Sequence, residues 1–184
     1  SIERKSNHRL PNMSYSIRFA NEHDIPFLVE AILAAEKSGT DRCGLCNLLG
    51  ISETQAKIGI AKMLSEEIEG CEFSLLEFAV AVYNDQPVAA FCGWIEGENE
   101  DQQSSAVLKS NLLLHAFGTS IIPALQKNQE IIKAIQLTRT AGTHQVEYAY
   151  VQHEHRGKKL IDAIIGFLLA HAQQKQPLLK AAQV

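Results

Sequence analysis

The segment from Phe78 to Ile95 constrains the fold of this chain more than any other. FAVAVY, Asn84-Asp85-Gln86-Pro87 and VAAFCGWI read as strand, turn and strand (78–83, 84–87, 88–95), and both strands are almost unbroken apolar runs. A strand with one wet face alternates polar and apolar side chains, so runs without alternation belong to a sheet covered on both faces. Helices able to cover it lie upstream. Ile25, Leu28, Val29, Ile32 and Leu33 repeat at the spacing of one buried helical face, with Asp24 as cap, Pro26 in the first turn and Gly39 as stop. Ser52 and Gln55 have capping-box spacing ahead of a second helix, from Glu53 to about Glu69, which Gly70 closes. YSIRF at 15–19 reads as a further strand, and TDRCGLCNLLG as a loop with one helical turn.

Downstream, EGENEDQQSS (96–105) reads as an exposed, mobile loop, and 106–137 as two or three short helices broken near Gly118 and Pro123. VEYAYV (146–151) is strand-like. The polar loop QHEHRGKK opens a helix from about Gly157 or Lys158 to Gln173, whose apolar side includes Leu160, Ile161, Ile164, Ile165, Leu168 and Leu169. KAAQV reads as the start of one more strand. This order predicts an α/β (α+β) fold: a mostly antiparallel central sheet, helices on both faces, and one strand–helix–strand crossover near the end.

Composition narrows the function classes. Seventeen Lys and Arg against 21 Asp and Glu give a net charge of -4, without the basic stripe of a dedicated nucleic-acid binder. No apolar run approaches the roughly 18 residues of a membrane span. SIERKSNHRLPN has no apolar signal-peptide core, so residues 1–12 read as a leader or disordered tail ahead of a start at Met13, and 13–184 as a single domain. Four cysteines make no disulfide framework, and a reduced, cytoplasmic protein is expected.

Chemistry concentrates at V-Q-H-E-H-R-G-K-K-L-I, residues 151–161. A strand passing through a Gly- and Lys-containing loop into a helix leaves unpaired N–H groups at the positive end of the helix dipole, a ready anion site. Arg156, Lys158 and Lys159 add charge. Phosphate or diphosphate binding is one reading; a solvated basic first turn is the other.

The same residues resemble the cofactor loop of the GNAT superfamily of acyl-CoA-dependent N-acyltransferases. In that family a strand ending in Val precedes a segment like H-P-E-Y-R-G-K-G-I-G, with the signature Arg/Gln-x-x-Gly-x-Gly/Ala. Lys159 and Ile161 stand where the family has small residues, which leaves open how closely a diphosphate can approach. YSIRFANEHDIPFLVEAI is similar to the family's opening strand and first helix, and 78–95 to its second and third strands. The resemblance implies that 97–140 is a helical insertion between the third and fourth strands. It also implies that the domain ends early at KAAQV, where a helix and two strands would follow, supplied by a partner, by a longer natural chain, or lost in a reduced form.

What the resemblance implies for function is transfer of an acetyl or other acyl group from acetyl-CoA, or another acyl-CoA, to a primary amine of a small molecule or peptide. Main-chain groups of Ala149, Tyr150 and Val151 would hold the pantetheine arm, and Arg156, Gly157, Lys158, Lys159, Leu160 and Ile161 the diphosphate. Glu147 is the expected general base, a glutamate within an otherwise apolar strand. Strand alternation places it with Gln145, Ala149 and Val151, away from Val146, Tyr148 and Tyr150, the two tyrosines reading as core aromatics. An exposed or paired strand glutamate is the bland alternative. Cys43-Gly-Leu-Cys46, even with His144, His153 and His155, reads as separate thiols, and no metal is expected. The expected partner is the amine substrate, with a homodimer within the family's range and neither nucleic acid nor membrane. A non-catalytic acyl-CoA-binding or regulatory protein, and a structural interaction module, stay open as alternatives.

Overall fold

The computed structural model describes residues 8–9, 14–97, 103–175 and 182–183. The strands are β1 (His8–Arg9), β2 (Tyr15–Phe19), β3 (Phe78–Tyr83), β4 (Gln86–Ile95), β5 (His144–Val151) and β6 (Ala182–Gln183). The helices are α1 (Ile25–Lys37), α2 (Gly44–Leu49), α3 (Glu53–Leu64), α4 (Ser105–Phe117), α5 (Ile122–Lys127), α6 (Gln129–Ile135) and α7 (Leu160–Lys175). They build one six-stranded sheet in the order β1-β2-β3-β4-β5-β6. Every pairing is antiparallel except β5 with β6, which is parallel and joined through α7. The strand His8–Arg9, within the stretch read as a leader, pairs beside β2; the other residues of 1–12 lie outside the described residues.

The apolar runs of β3 and β4 are covered on both sides. On one face Phe78, Val80, Ala90, Cys92 and Trp94 pack beneath α1 to α4, against Leu28, Ile32, Ile60, Met63 and Leu112. On the other, Ala79, Ala81, Ala89 and Phe91 receive Leu160, Ile164 and Leu168 of α7. Each such large apolar side chain contributes about 1.5–3 kcal/mol when fully buried. α3 and α4 meet through a notch: a Cβ built on Gly59 would lie 2.1 Å from the Phe117 ring, so only glycine admits that ring.

Local chemistry explains where the elements begin and end. Asn84 and Asp85 both have positive φ (48° and 62°), making a two-residue turn whose twist matches the hairpin, so β4 starts at Gln86 rather than Val88. Ser52 and Gln55 form the capping box at α3, but that helix stops at Leu64, five residues short of Glu69. Asp24 makes no side-chain cap on α1. Its buried carboxylate instead takes both Arg18 nitrogens at 2.6 and 3.0 Å and the Asn21 N–H, while Asn21 caps the turn Glu22–Asp24. Glu96 is buried rather than part of an exposed loop; it accepts Trp94 Nε1–H and the Ser105 N–H. Residues 98–102 of that loop lie outside the described residues.

Candidate active site

β5 positions the candidate chemistry, and it does so with a bulge. Ala90 pairs Tyr150 and Cys92 pairs Glu147, so two β5 residues, Tyr148 and Ala149, oppose Phe91 alone. Tyr148 takes the extra turn with φ +57°. The bulge overturns the expected alternation. Glu147 is paired with Cys92 on the face beneath α1 and α4, and Tyr148 and Tyr150 belong to the core of that same face. Val146 and Val151 pack towards α7, and Ala149 is exposed. Tyr148 is anchored where it stands: its hydroxyl donates to Glu36 Oε1 on α1 at 2.9 Å, while Glu36 Oε2 accepts the Leu45 N–H of α2.

Glu147 is half-buried within a set of charges drawn from four parts of the chain. Arg139 Nη2 lies 3.3 Å from Glu147 Oε2 and 3.5 Å from Glu72 Oε1. Lys109 Nζ, on α4, binds the same Glu72 oxygen at 2.8 Å and sits 5.4 Å from the Phe73 ring centroid. Burial pushes the Glu147 carboxyl above its ordinary pKa; the charge of Glu72 adds to this, and Lys109 and Arg139 only partly oppose it. Burial also pushes Glu72 up, yet Lys109 and Arg139 outweigh it and hold that carboxyl below its usual range. The outcome is one firmly ionised carboxylate beside one with raised proton affinity, the separation that acid–base chemistry needs. Sequence reasoning singled out Glu147 but not Glu72, Lys109, Arg139 and Glu36, which the fold brings around it. The one local signal was a glutamate at 72 between Cys71 and Phe73 in an apolar context.

The second half of the site is the loop into α7. β6 pairs only with His144 and Gln145, so from Val146 onward the outer edge of β5 has no strand beside it among the described residues. That edge runs into a concavity of about 300 Å³ lined by Val151, His155, Asp162 and all of 156–161. Arg156 Nε donates to the Val151 carbonyl at 3.3 Å, and Tyr15 Oη hydrogen-bonds His155 Nδ1 at 2.9 Å, which ties the loop to β5 and β2. Of the residues assigned to the cofactor, Val151, Arg156, Gly157, Lys158, Lys159, Leu160 and Ile161 gather here; Ala149 and Tyr150 do not line it. Leu160 is only 2% exposed, and Ile161 packs partly against the α7-side core, so the two contribute to packing as well as to the rim.

Lys159 has φ +56°, a conformation that glycine adopts freely and an L side chain resists by roughly 1–2 kcal/mol. Lys159→Gly relieves that strain but loosens the unfolded chain, so urea unfolding is expected to show a gain of up to about 1 kcal/mol. Lys159→Val is expected to lose stability in the same assay.

The thiols behave as structural groups. Cys43 Sγ accepts the Cys46 N–H at 3.3 Å as the cap of α2, and burial, reinforced by Cys43, pushes the Cys46 thiol up to about 12. Among the described residues no three His, Cys, Asp or Glu side chains gather as metal ligands.

His144, at the start of β5, is 1% exposed, its Nδ1 has no hydrogen-bond partner among the described residues, and burial lowers its pKa. The unfolded chain then takes a proton near pH 6.5 that the folded chain takes only at lower pH, so this group's stability contribution is lost as pH falls below about 6.5. Urea unfolding between pH 7.5 and 5.5 is expected to show the decline, at no more than about 1.4 kcal/mol per pH unit from this group, and His144→Asn to flatten it.

No protein-family model matches this sequence, and no curated protein matches it. Solved structures do. One described as an acetyltransferase superposes with a TM-score of 0.53 at 12% identity, over 86% of this chain and 74% of that one. An N-acetyltransferase from Staphylococcus aureus Mu50 superposes with a TM-score of 0.51 at 12% identity, over 90% and 78%. With its antiparallel sheet, its single parallel pair around α7 and its helices on both faces, the chain has a mixed α/β fold of GNAT-like architecture.

Proposed function

We propose that this chain binds an acyl-CoA, such as acetyl-CoA, and transfers its acyl group to a primary amine of a small molecule or peptide. One observation carries the reading: the outer edge of β5 from Val146 onward, beside which no strand lies among the described residues, leads directly into the basic concavity at the start of α7, on the strand that holds Glu147. The residues present fit a diphosphate. Gly157, at φ +75°, has nothing within 4 Å of a built Cβ, and the concavity stays open although Lys159 and Ile161 line it. Arg156, Lys158 and Lys159 supply the counter-charge.

The bound thioester supplies an activated acyl carbon. The outer N–H and C=O groups of β5 would hold the extended arm as an added strand is held. Glu147 accepts the proton that the amine nitrogen loses as that nitrogen bonds to the acyl carbon; the C–S bond breaks, and its electron pair leaves on sulfur. Isothermal titration with acetyl-CoA tests the reading, with micromolar binding expected. Absence of binding by the folded chain would overturn it. Binding without release of free CoA thiol, across a panel of amines, would favour the non-catalytic acyl-CoA-binding protein, the alternative motivated by the side chains at Lys159 and Ile161.

A further inference from the structure

We infer that Glu72 and Arg139 are positioning residues that act on Glu147 as an opposed pair: Arg139 holds its carboxylate in place, and Glu72, across the same guanidinium nitrogen, sets its proton affinity. The inference rests on the reading of Glu147 as the base. Arg139 is clamped on three sides besides Glu147: Nη1 donates to Ser105 Oγ at 2.9 Å, the guanidinium carbon lies 4.9 Å from the Trp94 ring centroid, and Nη2 reaches Glu72 at 3.5 Å. The arginine is thus fixed before it meets Glu147, with 17% of its side chain exposed, and its remaining reach is spent on one carboxylate oxygen. Glu72, 1% exposed, holds Lys109 and Arg139 together and leaves its own Oε2 without a hydrogen bond among the described residues.

The arrangement explains what the helical segment between β4 and β5 does for the site. Lys109 and Ser105 come from α4, and Arg139 from the chain just before β5, so that segment brings both cations to the face of Glu147. Among the described residues the other titratable groups that interact with Glu147 are Glu36 from α1, the Cys92 thiol paired across from it on β4, and the neighbouring Tyr148 on β5. Arg139 Nη2 is shared between Glu147 and Glu72.

The test reads Glu147 directly and needs no acyl-CoA: carboxyl carbon NMR titration, with the Glu147 resonance assigned by its loss in Glu147→Gln. Glu72→Gln is expected to lower the Glu147 midpoint by about one pH unit, because a neighbouring negative charge is gone. Arg139→Gln is expected to raise it by a similar amount, whereas Arg139→Lys, which keeps the charge, should restore the midpoint towards wild type. If Glu72→Gln does not fold, because two cations lose their shared counter-ion, the Gln and Lys substitutions at 139 carry the test. An unmoved midpoint, or shifts of the opposite sign, would overturn the inference. Undiminished turnover in Glu147→Gln would instead remove the base assignment while the titration still reported the coupling.

Discussion

Glu147→Gln is expected to cut acyl-transfer turnover by about a hundredfold or more and to leave acetyl-CoA affinity unchanged, because positioned proton acceptors contribute factors of about 10²–10⁴. The substitution keeps the size of the side chain and an oxygen to accept from Arg139, but it removes the basic lone pair. Glu147 does not line the concavity at the start of α7, so cofactor binding has no reason to change. The pH dependence follows from the raised pKa. As a general base Glu147 would act only when ionised, so the rate should fall as pH drops through its raised pKa. Steady-state kinetics across pH, with kcat and KM separated, checks both parts. Turnover that survives the substitution would assign proton removal to another group or to solvent.

Phe73→Ala is expected to have the largest effect on stability, a loss of about 3–5 kcal/mol in urea unfolding. Phe73 is fully buried beneath the bulge, its ring 5.6 Å from that of Tyr148 and 5.4 Å from the Lys109 ammonium. Truncation removes the apolar contact, opens a cavity and strips the cation of its aromatic neighbour at once. Domains are stable by only about 5–15 kcal/mol, so this variant should lose a large share of the total. Phe73→Leu, which keeps much of the volume, should cost far less. A loss below about 1 kcal/mol for the alanine variant would mean that the site's floor collapses to fill the space.

The sheet was legible in the residues because its signals are local. Two apolar runs around Asn84-Asp85, a helical repeat after Asp24 and a capping box at Ser52 each carry their meaning within about a dozen positions. Where local reading erred, a longer contact won. Asp24 left its capping role because Arg18 takes its carboxylate, and Glu96 was drawn inside by Trp94 and Ser105. The lining of the concavity at the start of α7 was legible because its residues are consecutive. The charge set around Glu147 was not, since Glu72, Lys109 and Arg139 meet only after the chain has folded across the sheet. Neither was the bulge, because nothing in VEYAYV marks Tyr148 as the residue that takes a positive φ.

That bulge makes a deletion informative where substitutions are not. Removing Ala149 would leave one β5 residue opposite Phe91, so the ladder from Ala89 to Ile95 would close without interruption. Glu147 and Tyr150 would keep their partners Cys92 and Ala90, but Tyr148 would turn towards α7 and away from Glu36. The shortened chain would own the more regular sheet and the poorer site. In this strand, the meeting of Tyr148 with Glu36 depends on one residue too many.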